Sequence, residues 1–160
     1  AERLKEHKDI HFVIVGDGRA REWVEGQIAE RGLKDTVHCV GSYPLAAMPA
    51  TFAKADVLFA ALKDEPVFAL TVPAKIQAYM SSGKPIVTMI NGEAMELVRE
   101  AGCGIAVAAE DSEAFANAVL EMAQMPDALR EEVGRRGKEY ADRYFDFERQ
   151  MSLLEQIMES

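Results

Sequence analysis

The residues whose types and spacing could do chemistry lie between Glu65 and Lys84. Thr71 is a natural helix N-cap, and Pro73 is tolerated only within a first helical turn, so a helix is predicted to begin there. Gly83-Lys84-Pro85 stops it and feeds the apolar run Ile86-Val87. A helix that starts this way, at the end of a strand, leaves several amides unpaired and pointing in one direction, and such an end attracts phosphate. Lys75 falls in the first turn, where a cation opposes the helix dipole. Either it is a solvated lysine whose small penalty is tolerated, or it helps to hold an anion at the amide-rich end. Thr71 and Pro73 favour the second reading.

Other candidates are less specific. Glu65 sits in the polar loop Lys63-Asp64-Glu65-Pro66, where a free carboxylate needs no explanation and an acceptor for ribose or sugar hydroxyls fits equally well. Gly16-Asp17-Gly18 follows an apolar run but lacks the third glycine of the dinucleotide fingerprint. It reads as a steep strand-to-helix turn or as a point where backbone meets ligand, with the Asp17 carboxylate opposing direct phosphate contact. Tyr43 is a surface turn residue or a wall for a flat base. His7, His11 and His38 show no ligand-like spacing with one another or with Cys39 and Cys103, so no metal site and no resident cofactor is expected.

Composition bounds the class. The chain has 160 residues, 49% of them hydrophobic, and a formal net charge of -9. That length supports one domain with a real core. The acidic balance argues against an unaided nucleic-acid binder. No apolar run reaches membrane-spanning length, and no secretory signal opens the chain. Two thiols beside apolar runs read as buried cysteines of a reducing cytoplasm. A cytoplasmic protein is expected, and its eight methionines are most simply core filler.

The elements that must position these residues alternate along the chain. Ala1 to Lys8 reads as the back half of a helix, which suggests residues upstream. Strands are predicted over 10–15, 36–40, 56–62, 86–90 and 105–108, and helices over 19–31, 45–54, the stretch before Gly83, 93–100, 111–124, 126–144 and 147–158. Ser112 is a plausible cap, Gly32 a helix terminator, and Pro49 a kink or a true helix start. The near-continuous apolar strand 56–62 suggests a sheet covered on both faces. Together these predict an α/β fold: a Rossmann-like, doubly wound parallel sheet of about five strands. Ligands of such sheets bind at the carboxyl ends of the strands, a rule that brings together the loops at Gly16–Gly18, Gly41–Pro44 and Glu65–Lys75.

The run Phe12 to Gly18, then Val40-Gly41, Ala55-Asp56-Val57, and Pro73-Ala74-Lys75 through Tyr79-Met80 to Gly83-Lys84-Pro85, resembles the C-terminal domain of retaining GT-B glycosyltransferases (group 1, family four type). The branch that builds bacterial capsule, O-antigen or exopolysaccharide is the most similar. The resemblance covers nearly the whole chain. It implies a cytoplasmic domain that binds a nucleotide diphosphate-sugar, with UDP as the favoured nucleotide. Gly16, Asp17 and Gly18 would line the site, and Tyr43 would lie by the base. The diphosphate would rest on amides from Thr71, Val72, Pro73 and Ala74 to Lys75. Glu65 would face the donor sugar, as the first acidic residue of the family's paired-glutamate motif.

Two departures stand out. The second glutamate, which holds ribose, should fall at Ala78, which accepts no hydrogen bond; Gln77 is the nearest substitute. The family's first C-domain strand, its basic diphosphate clamp and its acceptor domain would lie upstream of residue 1, so the chain is expected to be an inactive donor-binding half. On this reading 1–160 is a single nucleotide-sugar-binding domain, with the helix over 145–160 packing toward an N-terminal acceptor domain. Membrane contact, if any, would come through that absent half, peripherally at the inner membrane. Two other readings stay open: half of a nucleotide-sugar epimerase, and a non-catalytic flavodoxin-like binding module.

Overall fold

The computed structural model describes residues 1–158, with side chains throughout except at 147–150 and 153–154. The chain divides into two units, Ala1–Ala50 and Thr51–Ser160. The division falls within α2 (Met48–Ala53), which follows a 3₁₀ turn at Leu45–Ala47. Pro49 lies in the first turn of α2, so it marks a helix start and not a kink.

The first unit is a strand–helix–strand. β1 (Phe12–Ile14) and β2 (Val37–Cys39) pair in parallel, with Phe12 opposite Val37 and Ile14 opposite Cys39. Between them runs α1 (Arg21–Glu30). Its end is a Schellman turn. Gly32 takes φ 68°, its amide donates to the Ala29 carbonyl, and the Leu33 amide donates to that of Ile28 at 2.9 Å. That turn tucks Leu33 under the unit at 5% exposure. The helix predicted over Ala1 to Lys8 is instead a single 3₁₀ turn, Glu2–Leu4, whose one buried residue is Leu4.

The second unit carries β3 (Leu58–Ala61), β4 (Ile86–Met89) and β5 (Gly104–Val107) as a parallel sheet in that order, Leu58 opposite Ile86 and Ile86 opposite Gly104. The expected parallel α/β pattern is thus present, with its five strands paired as a set of two and a set of three. Two layers of helix flank the larger sheet. On one side α4 (Ala74–Ser81), α5 (Glu93–Ala101) and α7 (Asp127–Tyr144) enclose Ile76, Met80, Ile86, Ile90, Val98 and Cys103. On the other, α6 (Ser112–Gln124) packs Ala118 and Met122 on Val87. The strand buried throughout its centre is β4, whereas β3 alternates, with Leu58 and Ala60 buried and Phe59 and Ala61 exposed. An edge strand needs cover on one face only, so its apolar run misstated its burial.

Helix ends follow simple rules. Asp111, not Ser112, caps α6: its Oδ1 accepts the Ala114 amide at 2.8 Å. α7 approaches the turn after α4 through two glycines. A Cβ at Gly134 would lie 2.1 Å from the Gly83 carbonyl oxygen, and one at Gly137 would lie 2.8 Å from Cys103 Cβ. α8 (Phe147–Met158) closes the chain. Among the described residues, no helix is long and apolar enough to cross a membrane.

Candidate functional site

The predicted start of the central helix is two elements. After β3 the chain forms a short helix, α3 (Pro66–Ala69), with Glu65 as its N-cap residue and Pro66 in its first turn. The Glu65 carbonyl accepts the Phe68 amide at 2.9 Å, but its carboxylate caps nothing. Among the described residues that carboxylate has no ion-pair partner. Thr71 then ends α3: its hydroxyl and its amide both donate to the Phe68 carbonyl, at 3.2 and 3.3 Å. Thr71 is therefore not the cap of α4, because its hydroxyl is spent on the preceding turn.

The cap position of α4 belongs to Pro73, at φ -59° and ψ 135°, so Pro73 precedes the first turn and does not lie within it. Proline offers no side-chain acceptor, so no side chain caps the α4 amides, and the first turn holds no acidic residue. The first-turn amides of α4 are thus left without a side-chain acceptor, because Pro73 and not Thr71 stands at the cap. Ala74, Lys75 and Ala78 are exposed, whereas Ile76 and Met80 are fully buried. Burial of that opposite face aims the start of α4 and leaves Lys75 in solvent, with no ion-pair partner among the described residues. Ala78, one turn on from Lys75, shares its face. Val72 and Gln77 are half-buried. Phe52 meets Tyr79 edge-on, with centroids 5.2 Å apart, and burial pushes the Tyr79 hydroxyl up from its ordinary value.

The other two predicted loops belong to the first unit, which ties them to each other. Gly16 donates its amide to the Gly41 carbonyl at 2.8 Å. Gly41 needs the left-handed region, at φ 76°. Gly18 has open space around it. Asp17 accepts from Arg21 Nη1 at 3.1 Å, and Arg21 Nε donates to Glu25 at 2.8 Å. These two carboxylates, Glu25 first, hold the guanidinium firmly charged. Arg21 also comes near the second loop, since a Cβ on Gly41 would lie 3.9 Å from its Nη1. The sequence reading passed over Arg21, although Asp17 and Glu25 at four-residue spacing on either side were a legible sign. Tyr43 is 47% exposed.

The histidines carried one surprise. His11 Nδ1 and His38 Nε2 lie 3.2 Å apart across the β1–β2 pair, a contact that sequence spacing did not suggest. Among the described residues, no group of three or more His, Cys, Asp or Glu is placed to hold a metal ion.

The family description "Glycosyl transferases group 1" matches residues 1–125. The chain belongs to that family. Its fold recurs in solved structures of glycosyltransferases. A variant of S. aureus TarM in complex with fondaparinux, alpha-GlcNAc-glycerol and UDP superposes with a TM-score of 0.81 at 17% identity, over 99% of this chain and 30% of that one. Anabaena Alr3699/HepE in complex with UDP-glucose gives a TM-score of 0.76 at 20% identity, over 99% of this chain and 44% of that one. The C-terminal domain of LpcC, a glycosyl transferase group 1 family protein from Francisella tularensis, gives 0.69 at 21% identity, over 90% and 74%. The chain spans less than half the length of TarM and HepE. No curated protein matches its sequence.

Proposed function

We propose that this group 1 glycosyltransferase chain binds the nucleotide diphosphate-sugar donor at the carboxyl ends of its strands. The observation that carries the reading is the start of α4: amides without a side-chain cap, no acidic residue in the first turn, and an exposed lysine there. That combination costs helix stability unless a negative charge arrives. A diphosphate supplies it, received by the amides near Ala74 and by the Lys75 ammonium. Glu65, exposed and, among the described residues, without a side-chain partner, accepts from hydroxyls of the donor sugar. With Ala78 unable to accept, ribose is held by Gln77 or by backbone.

Transfer by the whole enzyme proceeds with retention, to a polysaccharide or lipid-linked acceptor of the bacterial cytoplasm, and needs an acceptor-binding part beyond this chain. Rate enhancement comes from positioning the donor and from stabilising the leaving diphosphate with helix-end amides and a cation. No resident cofactor takes part. UDP is the favoured nucleotide, supported by the UDP and UDP-glucose complexes of the structural neighbours.

Calorimetric titration of the chain with UDP, GDP and ADP tests this. UDP is expected to bind, and Lys75→Ala to weaken it about three- to tenfold, the scale of one partly solvated charge-assisted contact. Failure of all three nucleotides to bind would remove the donor-site reading.

A further inference from the structure

Segment Asp64–Ala69, which carries Glu65, has little to hold it in place. α3 buries none of its residues, and four residues are too few for a helix to persist alone. Its order must come from outside, and two adjacent residues at the carboxyl end of β4 supply it. Asn91 uses both ends of its amide. Nδ2 donates to Asp64 Oδ1 at 2.7 Å, and Oδ1 accepts the Ala109 amide at 3.0 Å. One side chain thus ties the chain just past β3 to the chain just past β5. Glu110, held in the left-handed region at φ 64°, adds a long contact of 3.5 Å from its Oε1 to the Asp64 amide. Gly92, the residue after Asn91, takes φ 77° directly against the end of α3. A Cβ there would lie 2.0 Å from the Ala69 carbonyl oxygen and 2.6 Å from its carbon. Both ends of the segment therefore rest on Asn91-Gly92, with Glu65 between them.

We infer that Asn91 and Gly92 are positioning residues: they pin Asp64–Ala69 so that the Glu65 carboxylate is presented to the donor sugar. The pin stands on geometry alone; its link to the sugar rests on the donor-site reading above. The bond to Asp64 is charge-assisted and spans two strand ends, so its loss frees the loop without opening the core.

Hydrogen exchange read by mass spectrometry tests the pin directly. In Asn91→Ala, the amides of Phe68, Ala69 and Thr71 are expected to exchange about tenfold faster while those of α6 and α7 keep their protection. The exchanged pair, Asn91→Asp with Asp64→Asn, keeps a donor and an acceptor across the same gap and a carboxylate oxygen for the Ala109 amide. It is expected to restore protection to within about threefold. Unchanged exchange at 68–71 in Asn91→Ala would overturn the pin.

UDP and UDP-glucose, titrated into the wild-type chain and Asn91→Ala, then test the link. Tighter binding of UDP-glucose than of UDP, erased by Asn91→Ala while UDP affinity is kept, supports it. A sugar preference that survives in the variant overturns the link and leaves the pin. Should the wild-type chain bind neither, the donor-site reading fails, and the pin is still decided by exchange.

Discussion

The two units use the same motif, a pair of parallel strands joined through a helix, and reach different degrees of closure. In the first, β1 shows a half-buried, exposed, half-buried pattern, and α1 has no fully buried residue. Its interior is Leu4, Leu33, Thr36 and Val37. Its ion pairs among the described residues include Arg21 with Asp17 and Glu25 and Arg31 with Glu2, all solvent-exposed, where water screens such pairs and leaves them weak. In the second, Ile76, Met80, Ile86, Val87 and Val98 are completely buried, because a third strand lets helices cover both faces of β4. One added strand turns a marginal ribbon into a scaffold. The Glu65 and Lys75 loops are built on that scaffold, whereas the Gly16 and Tyr43 loops are built on the ribbon.

Four measurements sharpen or break that contrast, the largest expected effect first. Gly134→Ala drives a methyl group into the backbone of Gly83 and is expected to cost roughly 3 kcal/mol in chemical denaturation. A near-neutral result would mean that α7 is not seated on the α4–β4 turn. Ile76→Ala removes a fully buried side chain from α4 and is expected to cost about 3 kcal/mol. It should also weaken UDP binding, since that packing aims Lys75; retained affinity would show that the helix start is set by other contacts.

Cys103 yields a pH dependence. Burial pushes its thiol up from 9.0 to about 11, against a smaller lowering by its own backbone. The folded state holds the neutral thiol, so this contribution is complete below pH 9 and is lost as pH rises through 11. Between those values the wild-type chain is expected to lose about 1.4 kcal/mol per pH unit more than Cys103→Ala. Equal slopes in denaturation at pH 9, 10 and 11 would place the thiol in solvent. Last, Gly26→Ala reverses the sign. Gly26 lies in mid-α1 with open space around its Cα, so alanine is expected to stabilise by about 0.5–1 kcal/mol. If the first unit melts separately from the second, only its transition should move.

Much of the fold was legible because its signals are local. Asp111-Ser112 and Pro126-Asp127 mark where α6 and α7 begin, and Gly32, Gly83 and Gly102 mark helix ends where φ turns positive. A helix start near Pro73 was legible, and so was a lysine in its first turn. The caps were misread: Thr71 and Ser112 are good caps by type, but each competes with a neighbour, and hydrogen-bond geometry decides which residue wins. Glu65 was legible equally as a free loop carboxylate and as a hydroxyl acceptor. That it heads a separate turn, α3, depends on Gly92 and Asn91, more than twenty residues away in sequence.

What the sequence determined by itself is the succession of strands and helices, their breakers, and the family, because periodicity and turn chemistry act over a few residues. Only the tertiary structure decided that β4 and not β3 is buried on both faces, that Gly134 and Gly137 admit α7, and that Asn91 holds Asp64. Strand order and register set those contacts, and no local pattern encodes which distant residue will stand 3 Å from a given donor.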